Sequence, residues 1–269
     1  VSGDFETGFF VGEDERRAHP MRSAQGGAGR ALPARFYQSA SIRREDDGFR
    51  VLLDGRPVRT PAARPLSLPT EAAAVMVAAE WAAQGPRIHP ATMHATRIAH
   101  SAIDHVAGAM EAVLDDALRY AESDLVCYRA AEPERVVLRQ RRLWDPLVAH
   151  VEARLGVRLA LAEGVVYVAQ PADTGDRFRA VLSGQNPLER AAFHVMTTLA
   201  GSIVIALAVT DGAIAARDGF SASEVDADVN AEIWGEDAEA LARRAFREAE
   251  FVAAAGLFAA ARPATPEPR

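Results

Sequence analysis

The hydrophobic period of this chain changes once, and that change limits the folds open to it. Between Phe36 and Leu68 the period is near two: Phe49, Val51 and Leu53 alternate with polar or outward positions, and Arg56, Val58 and Thr60 resume the alternation. Asp54-Gly55 between those runs is a two-residue hairpin signal, and Asp47-Gly48 marks a turn one strand earlier. An antiparallel meander is expected, ended by Pro61 and Pro65. Thr70 after Pro69 is a good N-cap, and Ala74, Val77, Ala78 and Trp81 then mark one face of a helix that packs on the sheet until Gly85-Pro86 stops it.

Beyond Pro90 the period is almost wholly helical. Ile98, Ala102 and Val106 form one stripe; Pro133 opens a helix through Leu138, Leu143 and Leu147; Pro187 to Val209 reads as a helix whose apolar run from Phe193 lies at the centre of the fold. A last helix from Asp237 shows Ala238, Leu241, Ala242, Ala245, Ala249, Val252 and Ala253 on one face, with Arg243, Arg244, Arg247 and Glu248 opposite. One exception is the β-branched stretch Val157 to Val168, where a turn at Gly164 suggests a small hairpin. The class is therefore α+β: a small N-terminal antiparallel β-rich domain with a packed helix over 34–90, then a larger, mainly helical domain over 91–260. Residues 1–33 lack any period and read as a flexible arm, and 261–269, with three prolines, as a tail.

Composition removes several kinds of chemistry. Lysine is absent, which excludes the P-loop lysine, Schiff bases and lysine general bases together. A net charge of −7 argues against attraction to nucleic acid or an anionic membrane, and the apolar run from Phe193 is too short and too often interrupted to span a bilayer. One cysteine, Cys127, excludes an intramolecular disulfide and reads as a buried small hydrophobe. His94, His100, Asp104 and His105 crowd one segment, but nothing there completes a metal site, and no glycine pattern supports a nucleotide or any other cofactor.

Glu224 to Ala240 holds seven carboxylates and no base. As a helix its first half sets Val225, Val229 and Ile233 in an apolar stripe beside an acidic row of Glu224, Asp228 and Glu232, whose i, i+4 repulsion has no local countercharge. Trp234-Gly235 breaks that helix, and Glu236-Asp237 starts the next. Asp237 or Glu236 there reads as a cap of the last helix, and Glu239 as the ion-pair partner of Arg243; the other reading makes this corner a binding surface, with Glu236, Glu239, Asp237, Glu232 and Trp234 as its partner-binding residues. A third is a carboxylate-dependent enzyme with its site in the cleft between the two domains.

Leu53-Asp54-Gly55-Arg56-Pro57-Val58-Arg59-Thr60-Pro61, Pro69-Thr70, Glu80-Trp81 with Gln84, Ile88-x-Pro90, Thr96-Arg97, Ala102-Ile103-Asp104, Tyr120 with Ser123-Asp124-Leu125, Trp144-Asp145-Pro146, Gly201-Ser202 and Trp234-Gly235-Glu236-Asp237-x-Glu239-Ala240 together resemble the ATP12-type assembly chaperones of the ATP synthase F(1) sector. The match departs at Ala227 and Asn230, where that family carries a glutamate and a glutamine. The resemblance implies no catalytic activity, no cofactor, and transient binding to the unassembled alpha subunit until the beta subunit replaces the chaperone. It also implies that the acidic corner touches that client. A protein monomeric when free is expected. The resemblance implies a home in alphaproteobacteria or mitochondria, and arginine used throughout in place of lysine looks like a high-GC bacterial sequence, so a bacterial cytoplasm is expected, the mitochondrial matrix being the eukaryotic equivalent.

Overall fold

The computed structural model describes residues 32–262, apart from 165, 166 and 236; most of the expected arm and tail lies outside them. The chain divides into two compact units, one ending at Asp104 and the other beginning at His105.

In the first unit, β1 (Ala40–Glu45) runs antiparallel to β2 (Gly48–Leu53), with Ala40 opposite Leu53 and Glu45 opposite Gly48. At Asp54-Gly55 the chain takes two successive positive φ values, 47° and 77°, the turn that the dipeptide encodes, and returns as β3 (Arg56–Pro57). The Asp54 carboxylate also accepts from the backbone N–H groups of Gln38 and Ser39 and from the Ser39 hydroxyl, bonds that hold its pKa below the usual carboxylate range. Both β3 and β4 (Ser67–Leu68) pair with β2, making β2 the central strand. That position explains why Val51, Leu52 and Leu53 are all buried, where strict alternation would have exposed Leu52.

Helix α1 (Glu71–Ala82) covers the sheet; Thr70 caps it through Ala73 N–H, and Ala73, Ala74, Val77, Ala78 and Trp81 form its buried face. Tyr37 donates its hydroxyl to the Trp81 carbonyl at 2.7 Å. From α1, Glu80 reaches the start of α2 (His94–Asp104), accepting from Ala95 N–H, Thr96 N–H and the Thr96 hydroxyl, each at 2.7 Å. A carboxylate on those unpaired N–H groups is the arrangement a helix N-terminus favours. At the other end of α2, Asp104 accepts from the Thr60 hydroxyl at 2.6 Å and Ala62 N–H at 3.1 Å, which ties the helix to the loop after β3.

The second unit comprises α3 (Met110–Glu122), α4 (Glu134–Leu155), α5 (Thr174–Leu182), α6 (Pro187–Ala200), α7 (Ile203–Thr210), α8 (Ala216–Ser223), α9 (Val225–Trp234) and α10 (Ala238–Ala260). The expected single helix from Pro187 to Val209 is two. Gly201 adopts the left-handed conformation that closes α6, and Ser202 caps α7 through Ile205 N–H. Ser202 in turn donates to buried Asp124 at 2.6 Å, and Val204 N–H and Val126 N–H donate to the same carboxyl group. Burial pushes Asp124 up to about 6 against these donors. With Ile203 to Ala208 all buried, α7 is the helix surrounded by the others.

Three further expectations give way. The hairpin after Val157 is instead a short parallel pairing of β6 (Ala162–Glu163) with β5 (Tyr128–Arg129). On α4, Leu138 faces solvent while Trp144, Leu147, Val148 and Val151 are buried. On α10 the buried residues are Phe251, Ala254, Leu257 and Phe258; Ala238, Leu241, Ala242, Ala245 and Ala249 are exposed. Alanine is too small for its position in a pattern to fix which side of a helix is buried, and large aromatics fix it here. Cys127 is buried as expected, its thiol pushed up to about 12 chiefly by burial and further by the Asp124 carboxylate.

Candidate functional site: the corner after α9

The acidic row of α9 does have countercharges, brought from distant parts of the chain. Arg139 of α4 grips Asp228 at 2.6 Å and Glu232 at 2.7 Å, Arg244 of α10 pairs with Asp228, and Arg247 of α10 meets Glu224 at 2.9 Å. Gln140 donates to Asp226 at 3.3 Å. The row, with no countercharge in its own stretch, is thus an ion-pair seam that fastens α9 between α4 and α10. Arg244 and Arg247, assigned from the sequence to the outward face of α10, supply that seam. Of the residues proposed to bind a partner, Glu232 already has Arg139.

Beyond the seam the helix turns outward. Val225 and Val229 are buried, but Ile233 is 47% exposed and Trp234 is 83% exposed. Helical geometry accounts for both: at 3.6 residues per turn Ile233 has drifted by about 80° from Val225, and Trp234 lies about 180° from it. Gly235 then takes φ 87° with an extended ψ of 165°, so the chain leaves the helix by a backbone that side-chain-bearing residues rarely adopt. Asp237 caps α10, accepting from Glu239 N–H at 3.3 Å. Glu239 pairs with Arg243 one turn on, yet its side chain stays 79% exposed. Leu241, one turn into α10, is 43% exposed. Glu236 lies outside the described residues.

Trp234, Asp237 and Glu239 are thus exposed within one short stretch of chain, and so are Ile233 and Leu241, which the sequence reading had placed on buried faces. Only the phase drift along α9 could have revealed Ile233. A large exposed aromatic next to an exposed isoleucine, in a stretch rich in carboxylates, is suited to docking on another protein: it offers apolar area at low ordering cost, with charge nearby. As an acid–base centre it is poorly suited, because exposed carboxylates lack the desolvation that tunes them. In the histidine segment Asp104 is committed to Thr60 and Ala62, and no cluster of three potential metal ligands occurs among the described residues.

Comparison with known proteins places this architecture. The sequence model of the ATP12 chaperone protein family matches residues 34–152. The crystal structure of Atp12 from Paracoccus denitrificans superposes with a TM-score of 0.79 at 39% identity, covering 86% of this chain and 99% of that one. The chain belongs to the ATP12 chaperone family. The Atu1473 protein from Agrobacterium tumefaciens is likewise similar, with a TM-score of 0.82, 39% identity and coverage of 91% of this chain and 92% of that one. A mitochondrial atp12 protein of Schizosaccharomyces pombe is 22% identical over 213 residues, 75% of this chain and 73% of its own. The ATP12 family thus carries the small antiparallel sheet with one covering helix and the helical unit that follows. Among the described residues no helix is long and apolar enough to cross a membrane.

Proposed function

We propose that this ATP12-family chain is an assembly chaperone for ATP synthase that holds the unassembled alpha subunit of the F(1) sector, without catalysis, until the beta subunit replaces it. The carrying observation is Trp234, 83% exposed at the end of a helix whose acidic row is otherwise fastened down. An orphan ring subunit exposes apolar surface meant for its neighbour, and a displaceable cover needs a small apolar anchor with a salt-sensitive rim more than an extensive apolar face. Trp234 is that anchor. Glu239 and Asp237 supply the rim, joined by Glu236 of the same acidic motif, and Glu232 is paired with Arg139. The chaperone works as a monomer in the compartment where the alpha subunit is made or imported, the cytoplasm of a bacterium or the mitochondrial matrix.

Co-expression with cognate alpha and beta subunits tests this. Soluble alpha subunit should co-purify with the chaperone alone and be lost when beta is present. Trp234→Ala, and separately Glu236, Asp237 and Glu239 all replaced by alanine, should keep the fold: surface substitutions usually change stability by no more than about 0.5 kcal/mol, and loss of the Asp237 cap adds about 1 kcal/mol. Each should cut alpha-subunit capture severalfold. Capture undiminished in both folded variants would remove the corner from the mechanism.

A further inference from the structure

The first unit contains an open groove of about 780 Å³ that plays no part in the corner. Val58, Ile88 and Met93 form buried apolar lining. Two polar rings share it. Trp81 is 9% and His100 6% exposed, and Trp81 Nε1 and both His100 nitrogens are buried without a hydrogen-bond partner among the described residues. Burial drives the His100 pKa down to about 4, so at neutral pH the ring carries one donor and one acceptor. These nitrogens are shielded behind the apolar wall, which leaves the arginines as the accessible polar groups of the groove. At the mouth, Arg56 and Arg59 are exposed and contribute to the lining; Arg59 donates to the Ala63 carbonyl, and Arg56 has no ion-pair partner among the described residues. The one carboxylate beside them, Asp54, is occupied by Gln38 and Ser39.

We infer that this groove binds an extended polypeptide segment in which an apolar side chain adjoins a carboxylate. The apolar side chain packs against Val58, Ile88 and Met93, and the carboxylate meets Arg56. Guanidinium groups at the mouth of an apolar cavity select for a negative partner, and a chaperone's ligand is a polypeptide, which sets the occupant apart from a free small molecule. This rests on family membership and not on the corner, which belongs to the other unit. The two surfaces can therefore fail separately.

The three tryptophan indole N–H resonances of the ¹⁵N-labelled full chain provide the readout, with Trp81→Phe assigning the one in the groove. Titration with acetyl-Gly-Glu-Leu-Phe-Gly-amide should shift the Trp81 indole saturably. The same peptide with lysine for glutamate should bind at least about fivefold more weakly, and so should the acidic peptide to an Arg56→Glu, Arg59→Glu chain, whose dispersed amide spectrum reports its folding. Binding should be unaltered in Trp234→Ala. An unmoved Trp81 resonance overturns the inference, as does equal binding of the two peptides. Saturation by decanoate with no response to the peptide overturns it too and makes the groove a site for small apolar carboxylates. Failure of these titrations leaves alpha-subunit capture by the corner standing, and loss of capture in Trp234→Ala leaves the groove standing.

Discussion

His100 is a base kept neutral by its surroundings. In the unfolded chain it titrates near 6.5; in the fold, burial lowers it to about 4, with Asp104 one turn away pulling upward. Between these values the unfolded chain takes up a proton that the folded chain refuses, so the contribution of His100 to stability is complete above pH 6.5 and is lost as the pH falls through 4. Asp124 has the opposite sign in an overlapping window: its folded pKa is raised from 3.8 to about 6, so its contribution is complete below 3.8 and is lost as the pH rises through 6. A comparison of the parent with His100→Phe isolates the histidine. Urea unfolding at neutral pH and near pH 4 should show the parent losing about 3 kcal/mol more than the variant over that interval. Parallel losses would mean that the ring is solvated in the fold. Neither behaviour was legible in the sequence, where His100 stood out only for its spacing to Asp104. Burial decides a histidine's chemistry, and burial here is made by side chains from β3 to α2 that no local pattern connects.

At the scale of elements, α9 depends on residues it never meets in sequence. Its acidic row repels itself, and Arg139, Arg244 and Arg247 offset that repulsion from two other helices. Arg139→Ala removes two of these contacts at once and leaves Asp228, only 16% exposed at its side chain, with Arg244 alone. The cost should be about 1–2 kcal/mol, between an exposed pair and a buried one, and amide exchange should rise over Val225 to Trp234 before it rises in α7. Exchange rising equally everywhere would show that α9 opens only with the whole unit. The elements themselves were readable where a backbone device marks them: the Asp54-Gly55 turn, the Thr70 cap, the break at Trp234-Gly235. They were misread where the signal was apolar content alone. The run Phe193 to Val209 hides a helix boundary because the capping residues Gly201 and Ser202 look like small packing residues until Asp124 is seen to hold Ser202, and Leu125 N–H the Gly201 carbonyl. In α10, a row of alanines imitated a buried face that the distant Phe220 and Phe193 assign to Phe251 and Phe258.

For the whole molecule, the net charge of −7 is carried with thirty arginines and no lysine, so most positive charge sits in guanidinium groups that already grip carboxylates or carbonyls. The exposed remainder at the corner is acidic and apolar. Alpha-subunit capture should therefore weaken severalfold as salt rises from roughly 0.1 to 1 M, over which the screening length falls from about 10 to about 3 Å, and a residual apolar component should survive. Pull-downs across that range check it; capture that strengthens with salt throughout would make the contact purely apolar. The α+β class was legible in the single change of hydrophobic period. The groove was not, because its walls come from segments that the sequence presents as separate motifs: the Leu53 to Pro61 run, Trp81, Ile88 and Thr96. The seclusion of Cys127 has a practical consequence. With its single thiol shut in the core and protonated, and with no side-chain amine on the chain, the folded protein offers almost nothing to maleimides or amine-directed labels. A Trp234→Cys substitution would place at the corner the one exposed thiol a maleimide can reach, while in the unaltered chain the rate at which Cys127 becomes modified clocks how often its core opens.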